Sequence, residues 1–125
     1  MFHIMFLVVP LPAFCVKTKH LKPDGDKVFL NICHSPVVPS PPPITEEELK
    51  KRVDEAERDN LTVTYRIPVS LGELRTEVDN KGKSVDVYDI IVNETHLKAL
   101  ERDHATYQIG FLVSVGIQGL EEKYG

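Results

Sequence analysis

The sequence predicts an α+β domain, in which a small mixed β-sheet built from β-hairpins is flanked by two to three helices. Three observations predict this class. Apolar residues alternate on both sides of a turn near the N-terminus, a capped amphipathic segment follows a proline-rich stretch, and the C-terminal segment carries a long apolar stripe. With 125 residues the chain suits one domain, because either half alone would be too small to bury a sizeable core.

Two hairpins account for the predicted sheet. Residues 14–19 and 28–33 are strand-like and are separated by a turn containing Pro23 and Gly25. Alternate residues of the second segment are strongly apolar, which predicts that one of its faces lies against the core. A second hairpin is predicted from a short strand at residues 74–78 and a strong strand at 85–92. The proline-containing stretch before it is expected to be irregular or at a sheet edge.

Helices are predicted in three places. Thr45 and Glu48 form a capping box, in which each side chain bonds the backbone of the other, at the start of a helix that reaches about residue 58. Asn93 is suited to cap a helix over residues 94–102. The apolar residues of segment 109–124 fit both the two-residue alternation of a strand and the repeat of a helix. The apolar stripe of the helical pattern continues over several turns and therefore favours a helix despite the glycines.

Composition excludes several classes of function. The net charge of −4 opposes non-specific nucleic-acid binding, so no direct nucleic-acid partner is expected. The apolar N-terminal segment is shorter than a membrane-spanning helix, and no membrane partner is expected. Residues 1–13 are interpreted as a leading segment, either disordered or from a misassigned start, and residues 14–125 as the domain. Cys15 and Cys33 show no metal-type spacing and indicate a reduced, cytoplasmic protein.

No catalytic residue is predicted. Cys33 and His34 are the one adjacent pair of nucleophile and base, but neighbours on a strand point to opposite faces and cannot share a hydrogen bond. The five histidines lack the spacing of metal ligands, so neither a metal nor a cofactor is expected. A small thiol hydrolase that uses Cys33 and His34 is the alternative from another class.

The lysines of the first hairpin are the more informative feature. Lys17 and Lys27 are each next to a position that faces the predicted core, so both should point outward from neighbouring antiparallel strands. Like charges close together across a ladder are unfavourable, and such a violation marks a candidate anion site. Lys81 and Lys83, in the second hairpin turn, would add charge if the two hairpins lie side by side. From spacing alone, ordinary surface lysines on a solvated sheet face are the favoured interpretation.

Several blocks of sequence resemble the PIH domain family, in order and over nearly the whole of residues 14–125. They are FCVKT at 14–18, KVFLNICHSP at 27–36, ITEEEL at 44–49, YRIPVSLG at 65–72, VYDIIVN at 87–93 and GLEEKY at 119–124. In this chain the loop between Lys17 and Lys27 is longer than the family pattern. The chain also stops at Gly125, before the CS-type domain that family members carry downstream.

The resemblance implies a non-catalytic adaptor of the ninety-kilodalton heat-shock chaperone. Such proteins work with paired AAA+ ATPases and a TPR adaptor to assemble box C/D snoRNPs, PI3K-like kinases, RNA polymerase or axonemal dyneins. In one branch the domain binds client peptides of the type Asp-pSer-Asp-Asp/Glu, phosphorylated by casein kinase 2. The lysines that bind phosphoserine there match Lys17 and Lys27, and a further basic position of the phosphopeptide site matches Lys81. The expected location is the cytoplasm and also the nucleus. The alternative within the family is a phosphate-independent scaffold for axonemal dynein preassembly.

Overall fold

The computed structural model describes residues 11–19 and 27–124, with the backbone alone for residues 11–19 and 27. Within these ranges five strands and three helices follow one another, which confirms the α+β prediction. They are β1 (Leu11–Lys19), β2 (Lys27–Ser35), α1 (Glu46–Arg58), β3 (Ser70–Leu71), β4 (Arg75–Val78), β5 (Ser84–Asn93), α2 (Glu94–Arg102) and α3 (Thr106–Tyr124).

The five strands form one mixed sheet in the order β1-β2-β5-β3, and β4 also pairs with β5. The central pair, β2 and β5, is parallel, whereas β1–β2, β3–β5 and β4–β5 are antiparallel. Both predicted hairpins are therefore confirmed, and they lie side by side. Strand β1 begins at Leu11, earlier than the predicted start at residue 14, because β1 follows the edge of the described sheet, where Pro12 is tolerated without a ladder N–H.

One face of the sheet carries the main core. The predicted apolar face of β2, formed by Val28, Leu30 and Ile32, is buried and packs together with alternate residues of β5. Each helix adds a leucine that is at most 1% exposed: Leu49, Leu97 and Leu112. Burial of such a side chain stabilises the fold by roughly 1.5–3 kcal/mol. The three helices therefore cover the same face of the sheet.

Helix α1 begins where the sequence predicts, with half of the predicted capping box. The Thr45 hydroxyl accepts a hydrogen bond from the Glu48 amide at 3.1 Å. The Glu48 carboxylate accepts from Arg52 Nε at 3.2 Å, one turn further along the helix, and so is used within the helix. Before α1, the proline-rich connector is held by the Tyr65 hydroxyl, which donates to the Pro42 carbonyl at 2.7 Å.

Asn93 links β5, α2 and the proline-rich connector. Its Oδ1 accepts from the His96 amide at 2.8 Å, and its Nδ2 donates to the Val38 carbonyl at 2.8 Å.

We expect Asn93→Ala to lower the free energy of unfolding by about 1–3 kcal/mol, because it removes both bonds. Asn93→Asp keeps the acceptor and should cost less. Urea denaturation measures both, and equal losses would contradict a stabilising role for the cap.

Helix α3 packs closely against the sheet, and Gly116 makes this close approach possible. A Cβ atom at position 116 would lie 2.6 Å from Cδ1 and 2.9 Å from Cγ2 of Ile90, which is in the middle of β5. The helix prediction for this segment is confirmed. Gly116 weakens helix propensity, and the packing against Ile90 requires it.

Candidate functional site

The end of β1, the start of β2 and the β4–β5 turn lie at the same end of the sheet. Strand β1 ends and β2 begins with the pair Lys19 and Lys27. Because β2 and β5 are parallel, with Val28 opposite Asp86, the start of β5 lies at that same end. The β4–β5 turn precedes it and carries exposed Lys81. Lys81 is expected to join the predicted anion site only if the two hairpins lie side by side. The backbone meets this condition.

The backbone register also relates the two lysine positions of the first hairpin. Lys17 pairs with Phe29, two residues along β2 from Lys27. Diagonal neighbours of this kind are about 7–8 Å apart. The side chains of Lys17 and Lys27 lie outside the described residues, so the predicted common direction of their amino groups stays a prediction.

Alternate residues of β2 and β5 form the sheet face opposite the helices. On this face Asn31 Nδ2 donates to Asp89 Oδ1 at 3.2 Å, and Arg75 of β4 contacts the other oxygen of Asp89. Arg75 Nε also donates to Glu77 at 3.3 Å. The pKa of the Arg75 guanidinium is raised, mainly by its hydrogen bond to Asp89. Arg75 is thus held by two carboxylates, and an incoming anion would compete with them.

The β4–β5 turn is itself well ordered by hydrogen bonds. Asp79 Oδ1 accepts from the backbone amides of both Lys81 and Lys83, each at 2.9 Å. Gly82 has a φ of 78°, in the left-handed region that glycine adopts without strain. The Asp79 carboxylate therefore fixes the backbone of the turn, and the side chain of Lys81 is exposed to solvent.

Cys33 and His34 do not form a nucleophile–base pair. The Cys33 thiol is buried and donates to the Asn31 carbonyl at 3.7 Å, whereas His34 Nδ1 lies 3.5 Å from the Glu94 carboxylate, where it forms an ion pair only when protonated. Burial raises the pKa of Cys33 to about 11, with a further increase from Asp89 and an opposing effect of Arg75. At neutral pH the thiol keeps its proton, which opposes the hydrolase alternative.

We expect Cys33 to resist alkylation in the folded chain. In a Cys15→Ser variant at pH 8, iodoacetamide should react with Cys33 about a hundredfold more slowly than in urea, because fewer thiolates are present. Mass spectrometry over time measures both rates. Equal alkylation rates would restore Cys33 as a candidate nucleophile.

The raised pKa of Cys33 also means that the free energy of unfolding should fall as pH rises from 9 towards 11, since the unfolded chain loses this proton first.

Other kinds of site find little support in the described part of the chain. Over residues 27–124, no group of three or more His, Cys, Asp or Glu side chains is arranged to hold a metal ion. None of the three described helices combines the length and apolar character that a membrane crossing requires.

A family model described as the PIH1 N-terminal domain matches residues 3–125. The chain belongs to this family. This PIH1 N-terminal domain is 43% identical to "PIH1 domain-containing protein 1" of Danio rerio over 118 residues, which cover 94% of the chain and 39% of that relative. It is 37% identical over 117 residues to the protein of the same name in Homo sapiens, covering 94% of the chain and 37% of that relative.

Yeast provides both a sequence relative and a solved structure. "Protein interacting with Hsp90 1" of Saccharomyces cerevisiae is 32% identical over 93 residues, which cover 69% of this chain and 25% of that protein. The solved "N-terminal domain of yeast PIH1p" superposes with a TM-score of 0.69 at 27% identity, over 93% of this chain and 73% of that one. This PIH1 N-terminal domain thus spans about two fifths or less of the full-length relatives it matches.

Sequence reasoning did not find the cluster formed by Asn31, Arg75 and Asp89. Asn31 and Asp89 are 58 residues apart and meet because β2 and β5 pair in parallel. Arg75 reaches them only through the β4–β5 register. A single arginine in a short strand gives no local signal of such a contact. In contrast, the Lys17 and Lys27 positions belong to one hairpin and could be related from the sequence.

Proposed function

We propose that this PIH1 N-terminal domain is a non-catalytic adaptor domain that binds acidic phosphopeptides of client proteins. The proposed ligand has the form Asp-pSer-Asp-Asp/Glu, as casein kinase 2 produces, and the proposed contacts are Lys17, Lys27 and Lys81. The observation that carries this proposal is the shared end of the two hairpins, where the backbone brings these three lysine positions to one region of the sheet.

Electrostatics support a local rather than a general attraction. The whole chain has a net charge of −4, so an acidic peptide is repelled at long range. Binding then requires a local cluster of cations. A phosphoserine carries about −1.5 to −2 charges, and each charge-assisted hydrogen bond contributes roughly 1.5–3 kcal/mol. Two or three lysines are therefore sufficient for a micromolar dissociation constant.

The wider role follows from the family. One yeast relative is named for its interaction with Hsp90. In our proposal the protein that contains this domain likewise links clients to a heat-shock chaperone, in an assembly with AAA+ ATPases and a TPR adaptor, in the cytoplasm and also the nucleus. The part of the relatives outside this domain is most of their length, and it would supply contacts to that assembly.

Calorimetry with three peptides tests the binding step. We expect micromolar affinity for Asp-pSer-Asp-Asp, and a loss of at least tenfold when the phosphoserine is replaced by serine, because the phosphate supplies most of the charge. A glutamate at that position should restore only part of the affinity, since it has one charge and two oxygens. Equal affinity for all three peptides would reject phosphate recognition and leave the dynein-preassembly scaffold as the function.

A further inference from the structure

A groove lies between α3 and the irregular segment 62–69, away from the lysine end of the sheet. Its cavity volume is about 460 Å³, and its apolar lining includes Val63, Ile67, Phe111 and Val115. Val63 and Val115 remain partly exposed there. A cavity of this size accommodates one or two large side chains of a bound chain, and its walls are already formed by α3 and the 62–69 segment.

The main chain beside the groove is unpaired. Tyr65 and Ile67 are buried and Arg66 between them is exposed, which is the alternation of an extended chain. The segment joins the sheet only at Ser70, and among the described residues none of the carbonyls of 65–69 and none of their amides, of which Pro68 has none, takes part in a backbone hydrogen bond. An unpaired extended segment next to an apolar groove can bind a second extended chain as an added strand.

Two unmatched charges lie on opposite walls of the groove. Arg66 is on the extended segment and Glu122 is on α3, and both are exposed. The other four arginines each contact a carboxylate: Arg52 with Glu48, Arg58 with Asp59, Arg75 with Asp89 and Arg102 with Asp103. Within the described ranges Arg66 contacts no carboxylate, and Glu122 contacts no cationic side chain. A ligand that spans the groove can meet one charge of each sign.

We propose that this groove binds an extended, unphosphorylated segment of a partner protein. An apolar side chain of that segment lies in the cavity between Ile67 and Val115, an acidic side chain meets Arg66, and a basic side chain meets Glu122. The main chain of 65–69 supplies hydrogen bonds to the bound segment, apart from Pro68, which has no N–H to donate. Because the groove belongs to the helix layer and the lysine positions to the hairpin end, one domain can hold a client peptide and a second protein together.

Selection from a phage-displayed random peptide library tests this proposal on the wild-type chain. We expect enriched peptides to share an apolar residue flanked by an acid and a base. Ser114 is exposed and lines the groove, so Ser114→Arg should fill the cavity and lower affinity for a selected peptide at least tenfold. Thr106→Arg makes the same charge change at an exposed position of the same helix outside the lining, and it should leave affinity unchanged. Thermal unfolding should show a cooperative transition for both variants, as for wild type.

A charge swap identifies the contact at Arg66. Arg66→Glu should weaken the selected peptide at least fivefold, and replacing the acid of the peptide with lysine should recover the affinity. The proposal is overturned if no peptide binds wild type better than Ser114→Arg, if the charge swap gives no recovery, or if the selected peptide competes with Asp-pSer-Asp-Asp. The first two outcomes do not depend on phosphopeptide binding, which is measured separately with that peptide.

Discussion

Alanine substitutions at two glycines of α3 are expected to change stability in opposite directions. Gly110→Ala should raise the free energy of unfolding by about 1 kcal/mol, because alanine has the higher helix propensity and nothing lies within 4 Å of the added Cβ. Gly116→Ala gains the same propensity but places its Cβ 2.6 Å from Ile90 Cδ1 and 2.9 Å from Cγ2. Overpacking should outweigh the gain and leave a net loss of about 1–2 kcal/mol. Urea denaturation of both variants measures the difference.

The Ile90 side chain provides the control. In an Ile90→Ala background the clashing atoms are gone, so Gly116→Ala should become neutral or stabilising, with a coupling energy of about 1–3 kcal/mol between the two positions. Ile90→Ala alone destabilises by creating a cavity, since Ile90 is fully buried. Additive effects of the two substitutions would show that α3 is not limited by contact with β5.

Lys27→Ala is expected to weaken binding of an Asp-pSer-Asp-Asp peptide tenfold or more. One charge-assisted hydrogen bond contributes about 1.5–3 kcal/mol, and loss of the lysine also makes the net charge of the chain, which is −4 in the wild type, more negative and so more repulsive to the peptide. Calorimetry of wild type and variant measures the change in dissociation constant. The affinity of the wild type should also fall as salt is added, because the attracting charges are partly exposed and screened.

Lys51→Ala is the matched control, since Lys51 is an exposed lysine of α1, on the helix side of the sheet. It removes the same charge from the whole chain without removing it from the hairpin end, and affinity should be unchanged. Loss of affinity in Lys51→Ala equal to that in Lys27→Ala would mean that net charge alone governs binding. The site at Lys17, Lys27 and Lys81 would then be rejected.

Elements with local signals were predictable from the sequence. The Thr45 and Asn93 side chains cap the helices that the sequence predicts, because a cap depends on residues only a few positions apart. The apolar alternation of β2 identifies the core face for a similar reason. The family also followed from the sequence, since its blocks occur in order along the chain.

Features that depend on distant residues were not predictable. The parallel pairing of β2 and β5 joins segments that are 58 residues apart in the Asn31–Asp89 contact, and no local pattern specifies such a partner. The contact between Arg75 and Asp89 depends on the exact register of β4 with β5, and the groove beside Phe111 depends on the docking of α3. The side-chain positions of the proposed lysine site require the full arrangement as well.

The parallel central pair has a consequence for how the proposed binding site would form. Each hairpin closes over a short loop, which is fast, whereas joining β2 to β5 closes a loop of some 58 residues and has a larger entropic cost. Lys81 reaches the neighbourhood of Lys27 only in this slower step. A chain that has formed its hairpins but not this junction would lack the complete set of proposed lysine contacts. Ligand binding would therefore select fully folded molecules and shift the folding equilibrium towards them.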